Sequence, residues 1–184
     1  MAKISILRWQ VWLADSDPPI WRRFQVSEQA TLDHLHHVLQ RVMGWQNSHL
    51  HTFDIRGDRY APPFDPPLEN TQDSTAVALA DFKFKPDSRF TYLYDFGDGW
   101  LHLLTLEAIL DADESLIVPY CLEGERACPP EDCGGVWGYE ELLEQLGDPE
   151  APDYEELLDW LDGDFDPESF PVETVNQQLQ ALSA

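Results

Sequence analysis

Apolar residues recur along the first hundred positions with two different periods. Between residues 4 and 13, Ile4, Ile6, Leu7, Trp9, Val11, Trp12 and Leu13 form a strand-like run. The Asp15-Ser-Asp-Pro-Pro19 turn then leads into a second β-rich run, Ile20 to Val26, so the two read as a hairpin with a long loop. Leu32, Leu35, Val38, Leu39, Val42 and Met43 instead fall at helical spacing. Thr31 is placed to cap that helix and Gly44 to end it. A third strand, about Leu50 to Arg56, turns at Gly57-Asp58. Phe90, Tyr92, Tyr94 and Phe96 alternate with Thr91, Leu93 and Asp95, and after the favoured turn Asp98-Gly99 the chain runs back from Leu101 to Ile109.

The pattern changes after residue 138. Tyr139, Leu142, Leu143 and Leu146 predict an amphipathic helix ending at Gly147. Asp153 and Glu156 have capping-box spacing before Tyr154, Leu157, Leu158 and Leu161. Val172, Val175, Leu179 and Leu182 predict a last helix over about 171–182. Residues 61–76 and 119–138 read as loops. Strands first and helices afterwards predict an α+β fold: an antiparallel or mixed sheet of about five strands, one inserted helix, and a helical C-terminal part. The order strand, strand, helix, strand, strand is compatible with a β-grasp-like core. One domain over 1–184 is expected, made of a strand-rich part (1–110), a Cys/Pro/Gly loop (119–138) and a helical part (139–184), because the later helices have no sheet of their own to cover.

Charge separates these parts further. Residues 1–106 carry 10 Lys/Arg and 13 Asp/Glu, whereas residues 107–184 carry Arg126 against 22 acids, within a net charge of −24 for the 184 residues. Such a field opposes the counterion release that drives non-specific duplex binding, so generic nucleic-acid binding is disfavoured unless a local basic patch overrides it. The acidic part is either a solvated face or a surface for a basic partner. No apolar stretch is long enough to span a membrane, and the first residues lack the apolar core of a signal peptide. A cytosolic protein with reduced thiols is expected.

Several motifs fail as chemistry. Asp95-Phe-Gly97 spells a kinase triplet, but no glycine-rich phosphate loop or His-Arg-Asp loop accompanies it. Asp162, Asp164, Asp166 and Glu173 fit a calcium-loop template except at its sixth position, where Pro167 replaces the required Gly. The stronger constellation gathers His36, Trp45, His49, His51, Asp95, Asp98 and His102, with Arg23 as an anion-binding candidate. His36 borders the apolar stripe of the helix. His49 and His51, two apart, share a face if the strand is regular, and Asp95 and Asp98 flank a turn leading to His102. Histidine titrates near neutrality and aspartate can orient it, so an acid/base pair or a metal site is within reach of this set. The alternative is that these residues hydrogen-bond turns around an aromatic core. Trp9, Trp12, Trp21, Trp45 and Trp100 either fill that core or line a groove. Since Arg22 and Arg23 are adjacent in a strand, at most one of them serves a given pocket. Cys121, Cys128 and Cys133, spaced C-x6-C-x4-C, form a candidate zinc set with His102 as fourth ligand and Asp132 as a poorer one. Otherwise they are reduced thiols in a turn shaped by Pro129, Pro130 and Gly134-Gly135.

Taken in order, Pro19-Ile-Trp-Arg-Arg23, Leu35-His36, Met43-Gly-Trp45, His49-Leu-His51 with Phe53, Tyr94-Asp-Phe-Gly-Asp98 with His102, and Cys128-Pro-Pro-Glu-Asp-Cys-Gly-Gly135 with Gly138-Tyr139 resemble the plasmid pRiA open-reading-frame-three-like family. The resemblance implies a compact α+β domain from a mobile-DNA context whose members are labelled passenger or resolvase-like proteins. It supplies no mechanism, and no Ser here combines a recognisable base with a cluster of Arg to neutralise a phosphate, as a resolvase nucleophile would need. The reading that follows is a binding or interaction module for a protein or small-molecule partner. The runner-up is a metal-assisted hydrolase built on the His/Asp cluster, with nucleic acid among its candidate substrates.

Overall fold

A computed structural model describes residues 4–112, 117–163 and 165–182; Asp164 of the calcium-loop template lies outside them. Eight strands form one sheet: β1 (Ser5–Leu13), β2 (Trp21–Ser27), β3 (His51–Ile55), β4 (Asp58–Ala61), β5 (Thr71–Asp73), β6 (Arg89–Tyr94), β7 (Trp100–Asp111) and β8 (Tyr120–Glu125). Their spatial order is β5-β4-β3-β6-β7-β1-β2-β8, with every pair antiparallel except β4–β5. Four α-helices complete the α+β fold: α1 (Leu32–Met43), α2 (Gly135–Leu146), α3 (Tyr154–Trp160) and α4 (Val172–Gln180).

The sheet is larger than the five strands expected because β4, β5 and β8 are short and polar. β4 (DRYA) and β5 (TQD) carry little alternation of their own, and β8 (YCLEGE) lies among prolines and glycines. Each becomes a strand by pairing with a neighbour, a tertiary effect that local pattern does not carry. The edge of β8 is closed by α4: Asn176 Oδ1 accepts from Cys121 N and its Nδ2 donates to Cys121 O, both at 2.8 Å. A side-chain amide thus stands in for a ninth strand.

One face of the sheet is covered. Trp9, Val11 and Leu13 of β1, Phe24 and Val26 of β2, Phe53 and Ile55 of β3, Phe90, Tyr92 and Tyr94 of β6, and Trp100, Leu104 and Leu106 of β7 are buried with Leu32, Leu35, Val38, Leu39 and Val42 of α1. Tyr139 and Leu142 of α2 and Val175 and Leu179 of α4 join the same cluster. The alternate residues, among them Trp12, Thr52, Thr91, Leu93, Leu101, Leu103 and Thr105, are half-buried or exposed on the other face. Helix α1 begins where Thr31 Oγ1 accepts from His34 N (3.1 Å) and ends at Gly44, whose φ of 113° is left-handed.

Arg22 ties the two compositional halves together. Fully buried, it donates from Nε to Val42 O (2.7 Å) and from Nη2 to Met43 O (3.3 Å) at the C-terminus of α1. It also donates to Trp21 O, Glu125 O and Arg126 O, and its guanidinium lies 3.8 Å over the Phe170 ring. The negative end of a helix dipole is a favourable place for this charge, although burial lowers its pKa to about 10. Gly124 makes room for it: a Cβ there would lie 2.7 Å from Arg22 Cδ. Arg23 points the other way and pairs with Glu107 and Glu123 on the open face, so neither arginine reaches the His/Asp cluster.

Candidate functional site

The site forms where three connections meet at one end of the sheet. The first runs from Gly44 to β3. Trp45 turns inward (2% exposed), Ser48 N donates to Tyr94 Oη (3.0 Å), and His49 follows. The second is the turn after β6, in which Asp95 has a φ of 64°, its N donates to Leu50 O, and its Oδ1 accepts from Gly97 N (2.8 Å). The third is the Pro129-Pro130-Glu131-Asp132 segment before α2.

At their junction His49 Nε2 is buried and makes no hydrogen bond. Around it stand Asp132 Oδ1 at 3.1 Å, Asp95 Oδ2 at 3.7 Å and Glu131 Oε2 at 3.7 Å. Asp132 is close enough to bond but lacks hydrogen-bond geometry. Glu131 Oε2 is likewise buried and makes no hydrogen bond, while its Oε1 accepts from Gln46 N (2.7 Å) and Tyr94 Oη (2.9 Å). Burial, and then the bond to Glu131, raises the Tyr94 pKa, which keeps the phenol a donor. Ligand atoms of His49, Asp95 and Asp132 all lie within 4.8 Å of one another, and no other group of three or more His, Cys, Asp or Glu among the described residues does so. Ligands about 2.1 Å from one ion are separated by about 3.0 Å (cis octahedral) to 3.4 Å (tetrahedral). The spacing around His49 is therefore close to that of a coordination shell. Asp132 is 71% exposed and opens the cluster to solvent, whereas Asp95 is 9% exposed.

The remaining sequence candidates serve packing. Because β3 starts at His51, His49 precedes the strand, and the two do not share a face as a regular strand would require. His51 is instead buried and stacked on His36, with ring centroids 3.5 Å apart and planes 5° from parallel. His36 Nδ1 accepts from Tyr92 Oη and its Nε2 donates to Asn47 Oδ1, each at 2.8 Å. Burial lowers its pKa to about 4 and that of His51 to about 3. His102 is fully buried; Trp45 Nε1 donates to its Nε2 (3.1 Å), so Nδ1 carries the proton toward Trp100 O (3.0 Å). Burial holds this imidazole neutral too, with a pKa of about 4. Asp98 Oδ2 accepts from Gly134 N (3.1 Å), docking the start of α2 on the turn. Gly135 completes that contact: its φ is 73°, and a Cβ would lie 2.6 Å from Asp98 O.

The candidate zinc set does not converge. Cys121 faces the core from β8, its Sγ toward Arg23 O, while both nitrogens of His102 are engaged elsewhere. Cys128 and Cys133 are half-buried in the loop. Burial raises all three thiol pKa values, Cys121 to about 11 and Cys133 to about 12, which keeps them protonated. Glu131, absent from the sequence candidates, is the added member of the site. Its signal was two acids held in a Pro-Pro…Gly-Gly turn, a rigid presentation that local backbone capping also explains.

Comparison with known proteins places this architecture. The family model described as plasmid pRiA4b ORF-3-like protein matches residues 5–174. The chain is 37% identical over 185 residues to the uncharacterized protein y4hQ of Sinorhizobium fredii, covering 98% of this chain and 93% of that one. It is similar to the crystal structure of the protein of unknown function MM3350 from Methanosarcina mazei Go1, with a TM-score of 0.85, 38% identity, and coverage of 94% of this chain and 98% of that one. The match spans the fold and all three connections that build the His49 cluster, and the chain belongs to the plasmid pRiA4b ORF-3-like family.

Proposed function

We propose that the protein is a binding module whose site takes a divalent metal ion on His49, Asp95 and Asp132, with Glu131 beside them. The observation that carries this reading is the buried, unbonded His49 Nε2 with carboxylate oxygens from two other chain segments at 3.1–3.7 Å. In an ordinary solvated face those carboxylates would spread apart; here Tyr94 Oη and Gln46 N hold Glu131, and Gly97 N holds Asp95, against their mutual repulsion. One imidazole with carboxylate oxygens is a ligand set that suits Mn²⁺ or Zn²⁺. The net charge of −24 raises the local concentration of any cation.

The exposure of Asp132 supports a second reading, metal-assisted hydrolysis, because a bound ion would retain solvent-facing positions for water. Melting of metal-stripped protein with and without Mn²⁺ or Zn²⁺ tests the binding reading: the ion should raise Tm in wild type and leave His49→Ala unmoved. Equal shifts in both proteins would reject it. Hydrolysis of p-nitrophenyl phosphate that requires the ion and is lost in His49→Ala would establish the second reading.

A further inference from the structure

The outer face of the sheet is not covered by any helix among the described residues, and its side chains follow rows across the strands. In register, Asp54 of β3 stands beside Thr91 of β6, Thr91 beside Leu103 of β7, Leu103 beside Trp12 of β1, and Trp12 beside Trp21 of β2. The next row begins with Arg89 beside Thr105. Between these rows lies a cavity of about 610 Å³ walled by Trp12, Leu103, Thr91 and Thr105, with Arg56 and Arg89 at its margin.

Two facts distinguish this cavity from a merely uncovered apolar face. First, Arg56 and Arg89 make no ion pair among the described residues, and the Arg56 guanidinium lies 5.6 Å from the centroid of the Phe84 ring. Arg41 and Arg59 make no ion pair among the described residues either; what sets Arg56 and Arg89 apart is that both line one cavity with an indole. Second, the one acid in the cavity, Asp54, accepts from Gly57 N (3.3 Å) within its own hairpin. What remains is an apolar floor, two threonine hydroxyls and two guanidinium groups outside any ion pair among the described residues. Guanidinium and hydroxyl donors recognise carboxylate, sulfonate or phosphate, and the indole face takes a flat apolar body.

We propose that this cavity binds a small organic anion with a flat apolar body, its charged group held by Arg56 and Arg89 and its body on Trp12 and Leu103. A second copy docking by the same face would bring its own arginines against these, and a polyanion would meet the net charge of −24. A ligand with one or two negative charges meets neither obstacle, and the volume lies in the range of small-molecule sites.

The inference is independent of the metal site, and its test uses the full chain in EDTA. The probes are 1-anilinonaphthalene-8-sulfonate and its uncharged analogue N-phenyl-1-naphthylamine, followed by fluorescence, with near-UV circular dichroism confirming that the protein stays folded. Arg56→Gln/Arg89→Gln should weaken sulfonate binding about tenfold or more, the loss expected for charge-assisted hydrogen bonds, and leave the uncharged probe unaffected. Trp12→Ala should weaken both, and His49→Ala neither. Sulfonate binding that is undetectable, unchanged in the double arginine variant, or lost in His49→Ala would overturn the proposal.

Discussion

Lowering the pH from 7 to 5 should destabilise the protein steeply, because its core holds imidazoles that fold in the neutral form. His36 is 2% exposed and His102 fully buried, and burial lowers each pKa from 6.5 to about 4. Protonating His102 would also turn its Nε2, which accepts from Trp45 Nε1, into a donor facing a donor. A histidine whose folded pKa is depressed stabilises the fold fully above its unfolded value. That contribution is lost as the pH falls toward the folded value, because the unfolded chain binds the proton first. At pH 5 the loss is about 2 kcal/mol for each residue, so about 4 kcal/mol for the two, against a total stability on the order of 5–15 kcal/mol. His51, stacked on His36, acts in the same direction. Protonation of the 35 carboxylates relieves self-repulsion and acts oppositely, but ordinary carboxylates titrate mostly below pH 5, so the histidines win in this window. Urea unfolding followed by circular dichroism at pH 7, 6 and 5, in EDTA, measures the slope. His102→Gln should flatten it by about 2 kcal/mol across the window. A stability that is level or rises between pH 7 and pH 5 would refute the reasoning.

Two further outcomes test the architecture. Arg22→Met leaves the carbonyls of Val42, Met43, Glu125 and Arg126 without their buried donor, and should cost about 3–5 kcal/mol in urea unfolding at constant m-value. Residues 1–110 expressed alone lack β8, α2 and α4, which share the hydrophobic cluster with the sheet, and should unfold without a cooperative transition; a soluble fragment with a sharp melt would show that the strand half stands by itself.

The parts of the fold legible in the sequence are those with their own periodicity. Helix α1 could be read from its apolar stripe with Thr31 and Gly44 at its ends, and β1, β2, β3, β6 and β7 from alternation around recognisable turns. The strands β4, β5 and β8 were not legible, because their pairing partners, rather than their own residues, make them strands. The site was half legible for a related reason. His49 and Asp95 stand beside strands whose ends can be guessed, so a His/Asp grouping could be proposed. The loop bearing Glu131 and Asp132 is brought there by long-range docking, through Asp98 on Gly134 and Gln46 on Glu131, contacts spanning 36 and 85 residues. Residue chemistry also misdirected. Histidine reads as a ligand or acid/base group, yet His36 and His102 spend their hydrogen-bonding capacity inside an aromatic core, where His51 is stacked on His36 with its Nε2 making no hydrogen bond. Cys121, near the other two thiols in sequence, is drawn to Arg23 O once β8 pairs with β2.

An ion on His49, Asp95 and Asp132 is seen most directly in the anomalous diffraction map of a crystal of the metal-free protein soaked in Mn²⁺. One strong peak is expected about 2.0–2.3 Å from His49 Nε2 and from carboxylate oxygens of Asp95 and Asp132. A map with no peak there, or with its strongest peak at Cys121, Cys128 or Cys133, would contradict the proposed site.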